Sequence, residues 1–260
     1  MSPTTGSWLV RPRPRGHARR RLLCVPYAGV GPSAFRRWCD SLPADVEVGI
    51  VHLPGREGRL REAPFSRIEP LIDAAAGALR PHLDLPFALF GHSMGALVAF
   101  ELARRFRDER WGAPTHLFVS GRRAPHLAPR RPPIAHLPDD QFVGEIRRRY
   151  NGIPDEVLRH PDLLALVLPG LRADLTLVEG YVYHPGAALP CPIAAFGGIA
   201  DAEATDAELV GWRQQTTTGL SVRMFPGGHF YLQTAHEELM KILTDTLMAS
   251  VSVAPRAWSA

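Results

Sequence analysis

The sequence is short of lysine, of cysteine and of long apolar runs, and each shortage excludes something. Lys241 is the only lysine among 260 residues, so the 30 basic side chains that outweigh 26 acidic ones are almost wholly arginine, for a formal charge of +4. The basic clusters at residues 11–21, at Arg122, Arg123, Arg130 and Arg131, and at 147–149 are suited to steering an acidic partner. No groove-reading motif or stacking-aromatic module accompanies them, so nucleic acid is not the expected partner. Cys24, Cys39 and Cys191 are odd in number and lack C-x-x-C spacing, which argues against a disulfide framework or a zinc site and for buried free thiols. No stretch approaches the roughly 18 apolar residues of a membrane span. The opening "MSPTTGSWLVRPRPRGHARR" lacks the apolar centre of a secretory signal. The expectation is a cytoplasmic protein with a flexible arm over residues 1–20 and a flexible tail over 250–260.

What the sequence does have is strand and helix patterns in alternation. "RLLCVPYAGVGP" reads as a buried strand, residues 21–25, that breaks into a Gly-rich loop, with a helix expected over 32–42. "VEVGIVHLPG" is a second strand, and "IEPLIDAAAGALRPHL" is a helix stopped at Pro81. "PFALFGHSMGALVAFELARRF" gives a strand, a turn and a long helix. "PTHLFVSGRRAP", "CPIAAFGGIAD" and "LSVRMFPGGHF" add three more strands before a final helix over 235–249. This alternation implies a mostly parallel central sheet flanked by helices on both faces. Residues 124–190 break it with helical patterns alone, as expected of a helical lid inserted into a single α/β domain over 21–249.

"FALFGHSMGALVAF" places Gly91, His92, Ser93, Met94 and Gly95 where strand becomes helix. G-x-S-x-G in that context is a nucleophile elbow, in which a strained turn presents the serine hydroxyl. A serine hydroxyl needs an adjacent base, and the base an orienting carboxylate, in the chain order Ser, Asp or Glu, His. Asp201 follows the strand of "IAAFGGIAD", and His229 follows that of "FPGGHFYL". Both stand at carboxyl ends of strands, where open α/β sheets build their sites. Asp206 and Asp174 are rivals for the acid. His92 is the rival base, but as the second residue of the elbow it is expected to point away from the Ser93 hydroxyl. An oxyanion hole needs two backbone N–H donors. Met94 supplies one, and "PYAGVG" the other, from Ala28 or secondarily Tyr27.

Taken in order, "VPYAGVG", "LPGREGRLRE", "FGHSMGALVAFELAR", "LRADLTLVEGY", "FGGIAD" and "FPGGHFYL" resemble the type II thioesterases that accompany modular polyketide and nonribosomal peptide synthases. The resemblance runs from about residue 21 to 249. It implies the α/β-hydrolase fold and an editing hydrolase that strips stalled or aberrant acyl groups from the phosphopantetheine arm of acyl or peptidyl carrier domains. Carried over, Ser93 is the nucleophile, His229 the base and Asp201 its orienter, with no metal or redox cofactor. The lid is expected to cover an acyl chamber lined by Phe142, Ile146, Leu163, Leu164, Leu166, Val167, Leu171 and Leu175. Arginines of the lid and of residues 122–131 are candidates for docking an acidic carrier. The chain departs from the family in "YAGVG", where Val30 replaces a glycine and is expected to narrow the mouth of the site. A freestanding monomer is expected. A general carboxylesterase or lipase with the same triad, a catalytically silent hydrolase-fold binding module and a product-releasing terminal thioesterase are the competing readings.

Overall fold

A computed structural model describes residues 7–249. Its strands are β1 (Leu9–Val10), β2 (Arg20–Val25), β3 (Val46–Val51), β4 (Phe87–His92), β5 (Leu117–Ser120), β6 (Ile193–Gly198) and β7 (Leu220–Phe225). They form one sheet in the order β1-β3-β2-β4-β5-β6-β7, parallel throughout except for β1, which runs antiparallel to β3. β4 lies at the centre and every residue of it is buried, which is why "FALFGH" is apolar nearly throughout. β7 lies at the edge, and its side chains alternate between partly buried and exposed as far as Met224, with Phe225 buried.

The helices are α1 (Trp38–Ser41), α2 (Ile68–Leu79), α3 (Met94–Asp108), α4 (Asp139–Tyr150), α5 (Asp155–Arg159), α6 (Pro161–Glu179), α7 (Asp206–Val210), α8 (Tyr231–Thr234) and α9 (His236–Ala249). One face of the sheet shares a core with α2 and α3, around Leu89, Leu97 and Trp212. The other shares one with α1 and α9, around Phe90, Trp38 and Leu243. A third cluster, including Phe142, Ile146, Leu171 and Leu175, lies within α4 and α6, between β5 and β6. The layout is an α/β-hydrolase fold with a helical insertion. The parallel strands β2, β4, β5, β6 and β7 deliver their following loops to one edge of the sheet, and that edge holds the site.

Two expectations change. The N-terminal arm is not free over its described part: Leu9 and Val10 pair with Val51 and Ile50. Arg15 follows, donating to the carbonyls of Cys39, Leu42, Pro43 and Val46. Residues 1–6 and the tail 250–260 lie outside the described residues. The helix expected over 32–42 is instead a 3-10 turn, Pro32–Phe35, followed by α1. The break lets Phe35 and Trp38 both pack edge-to-face on Phe90, with ring centroids 5.6 and 4.7 Å away. The three cysteines are free and buried. Among the described residues no helix is long and apolar enough to cross a membrane.

Candidate active site

Ser93 sits between β4 and α3 with φ 54° and ψ −116°, a conformation that costs a non-glycine residue about 1–3 kcal/mol. The turn is held by the Ser93 amide donating to the Ser120 carbonyl (2.7 Å). Its tightness explains the two glycines. A Cβ on Gly91 would stand 2.0 Å from the Gly95 carbonyl oxygen, and one on Gly95 would stand 2.1 Å from that of Val25. Any side chain at either position drives backbone into backbone. Met94 is the first residue of α3, so its amide belongs to the positive end of a 15-residue helix.

Asp201 and His229 lie on the loops after β6 and β7. Backbone bonds tie these loops together, from Ile199 to Phe225 and from Ala200 to Gly227, each 2.8 Å. His229 Nδ1 donates to Asp201 Oδ2 at 2.8 Å, with both side chains almost fully buried. The other carboxylate oxygen accepts the Glu203 amide at 2.9 Å. With Nδ1 bound to the carboxylate, Nε2 is the nitrogen left to exchange a proton with a substrate-side partner. Ser93 and His229 line one cavity together with Tyr27, Ala28 and Met94. In the loop after β2, the Gly29 amide donates to Asp174 Oδ2 (2.8 Å) and the Val30 amide to the Tyr27 carbonyl (3.4 Å). The Tyr27 and Ala28 amides are the ones these bonds leave over.

The rivals are placed elsewhere. His92 is fully buried, and its Nδ1 bonds Ser120 Oγ (2.8 Å), which in turn bonds the Tyr231 hydroxyl (2.5 Å). Burial, and secondarily the charge of His229, holds His92 well below the ordinary imidazole range. Asp174 pairs with Arg56 at 2.6 Å, and burial raises its pKa. Asp206 is the exposed first residue of α7.

The cavity has a volume of about 50 Å³ and is open to solvent. Its apolar wall comprises Ile146, Leu171, Leu175 and Val178. Phe142 is buried within the insertion and does not reach the cavity, and neither do Leu164 and Val167. Leu163 and Leu166 are 44% and 51% exposed, on the outer side of the first two turns of α6, where Leu164 alone packs on the insertion's core and full burial begins only at Leu168. Val30 does not line the cavity either, so it does not narrow the site. Sequence reasoning missed Tyr150, whose ring lies 5.2 Å from that of His229, and treated Arg122 as surface charge although it lines the cavity. Several docking arginines are already paired: Arg130 with Glu208, Arg131 with Glu203, and Arg148 and Arg149 with Glu145.

A strained serine at the head of a helix and a buried Asp–His pair across one cavity, on an α/β-hydrolase sheet, define a hydrolase of that fold. The thioesterase domain family model matches residues 20–247. Over 240 residues the chain is 41% identical to the gramicidin S biosynthesis protein GrsT of Aneurinibacillus migulanus, covering 92% of this chain and 93% of that one. The structure of RedJ, a thioesterase from the prodiginine pathway of Streptomyces coelicolor, superposes with a TM-score of 0.83 at 42% identity, covering 90% of this chain and 87% of that one. The type II thioesterase BorB of the borrelidin cluster superposes with a TM-score of 0.86 at 34% identity, covering 94% and 98%. The chain belongs to the thioesterase family, and it is a thioester hydrolase related to the type II enzymes of nonribosomal peptide and polyketide pathways.

Proposed function

We propose that the chain is an editing thioesterase that hydrolyses acyl groups from the phosphopantetheine arm of acyl or peptidyl carrier domains, with Ser93 as nucleophile, His229 as base and Asp201 as its orienter. The observation that carries this reading is the 2.8 Å bond between His229 and Asp201 in the cavity that Ser93 lines. His229 Nε2 takes the Ser93 proton as Oγ attacks the thioester carbonyl. The amides of Met94 and Ala28 receive the oxyanion, each such donor being worth about 3–4 kcal/mol. The carbon–sulfur bond breaks, and the pantetheine thiol leaves with the proton from His229. Water then gives its proton to His229 and attacks the acyl-serine, releasing the acid and restoring Ser93. No step calls for a metal or redox cofactor.

The apolar wall of Ile146, Leu171, Leu175 and Val178 supports an acyl group as the occupant of the cavity. Carrier domains would be the partners, approaching the mouth while the arm enters it; the reading has the protein act in the cytoplasm as a monomer. Labelling with a fluorophosphonate tests the nucleophile directly. Stoichiometric modification at Ser93 that is lost in Ser93→Ala supports the mechanism, and hydrolysis surviving in Ser93→Ala refutes it.

A further inference from the structure

Bond cleavage uses Ser93, His229 and the amides beside them, and the acyl chain uses the apolar wall. That leaves a polar side of the cavity, made by Arg122, Arg123, Tyr150 and Glu203, without a task. Arg122 stands two residues beyond β5, and its carbonyl accepts the Trp212 indole N–H at 2.8 Å, which fixes the backbone. Its side chain is not so held: Nε is buried without a hydrogen-bond partner. Among the described residues, Arg122 enters none of the ion pairs that occupy its neighbours Arg123, Arg130 and Arg131. Burial lowers the guanidinium pKa, and Tyr150 and Glu203 lie near enough to act on its charge.

Tyr150, the last residue of α4, lines the same cavity. Burial pushes its phenol up to about 12, so at neutral pH it keeps its proton and donates. Among the described residues its hydroxyl makes none of the hydrogen bonds. Two donors without a hydrogen-bond partner therefore line one cavity, beside Glu203, whose carboxylate engages neither of them in a hydrogen bond among the described residues. A buried donor left unpaired, as Arg122 Nε is, is costly, and a ligand that supplies an acceptor recovers that cost.

We propose that Arg122 and Tyr150 form a specificity subsite for a neutral acceptor oxygen on the acyl chain, as carried by 3-oxoacyl and 3-hydroxyacyl groups. This rests on the thioesterase reading of the same cavity. The acyl group, and not the pantetheine phosphate, is the source of the oxygen. The phosphodiester is a whole pantetheine chain away from the thioester, whereas both donors share a cavity of about 50 Å³ with Ser93. The oxygen is neutral because Glu203 lines the same wall and its carboxylate opposes a second anion there.

The test is kcat/KM of the full chain on butyryl, 3-oxobutyryl, 3-hydroxybutyryl and malonyl thioesters of N-acetylcysteamine, in the wild type and in Arg122→Met, Arg122→Lys and Tyr150→Phe. The 3-oxobutyryl to butyryl ratio is expected to be about 10 or more, the worth of one good hydrogen bond. It should fall about tenfold in Arg122→Met and in Tyr150→Phe, and recover in part in Arg122→Lys. Tyr150→Phe keeps the ring against His229 and so tests the hydroxyl alone. A ratio near one in the wild type, or one unmoved by both substitutions, overturns the subsite. Malonyl turned over faster than 3-oxobutyryl overturns its neutral character. Cleavage of butyryl oxygen esters with no thioester hydrolysed overturns instead the reading on which the subsite rests.

Discussion

Asp174, on helix α6 of the insertion, accepts the amide of Gly29 at 2.8 Å while its other oxygen accepts from Arg56 at 2.6 Å. One buried carboxylate therefore joins three separate segments: the lid helix, the loop that carries Ala28, and the "LPGRE" loop after β3. Arg56 is buried, and its Nε and Nη1 are without partners, so Asp174 is the group that balances its charge. The insertion is thus bolted to the body beside the loop that carries Ala28.

Removing that carboxylate leaves Arg56 buried and uncompensated. Asp174→Ala is expected to cost about 3–5 kcal/mol, the usual penalty for breaking a buried pair from one side. For a chain of this size that is a fall in Tm of roughly 6–20 °C. Thermal unfolding measured by circular dichroism checks this, and a Tm within a degree or two of wild type would contradict it.

The Asp201–His229 bond gives a second expectation. Asp201→Asn keeps the shape but offers an N–H where the imidazole needs an acceptor, which favours the wrong tautomer. A loss in kcat of about 10⁴-fold is expected, with little change in Tm. Steady-state thioester hydrolysis decides it, and a loss below tenfold would remove Asp201 from the mechanism.

The buried His92 makes stability depend on pH. Its folded pKa lies well below the ordinary value, so below about pH 6.5 the unfolded chain binds a proton that the folded chain refuses. Stability is full above that pH and declines as pH falls, by up to about 1.4 kcal/mol per pH unit for this one group. His52, His82 and His116, also depressed chiefly by burial, act in the same direction. Urea unfolding at pH 7.5 and 5.5 should show the loss, with a shallower slope in His92→Gln. Equal stability at both values would contradict it.

Much of this was legible in the residues. "FGHSMG" announces its turn because two glycines and a serine at a strand–helix junction have few other uses, and the clashes at Gly91 and Gly95 show why. Asp201 and His229 follow strands, so the parallel topology carries them to the same edge. The lid was legible as helix and only in part as wall: Ile146, Leu171 and Leu175 line the cavity as expected, and the other five expected residues do not. Leu163 and Leu166 have the same apolar character as Leu171 and Leu175, and periodicity does not say at which turn a helix first meets a neighbour. Arg122 and Tyr150 escaped for the same reason: 28 residues apart in sequence, they meet only through the packing of α4 over the carboxyl edge. Arg15, in a Pro- and Arg-rich stretch, read as solvated arm. Its partners are backbone carbonyls, which no side-chain pattern reveals.

Release of a panel of acyl groups, from acetyl and propionyl to longer chains, loaded on a carrier domain and compared with the same groups on N-acetylcysteamine and as oxygen esters, tests the editing role most directly. The expected result is broad release of short acyl groups from the carrier, faster than from N-acetylcysteamine and absent in Ser93→Ala. Brisk cleavage of oxygen esters with no release from any carrier would contradict it.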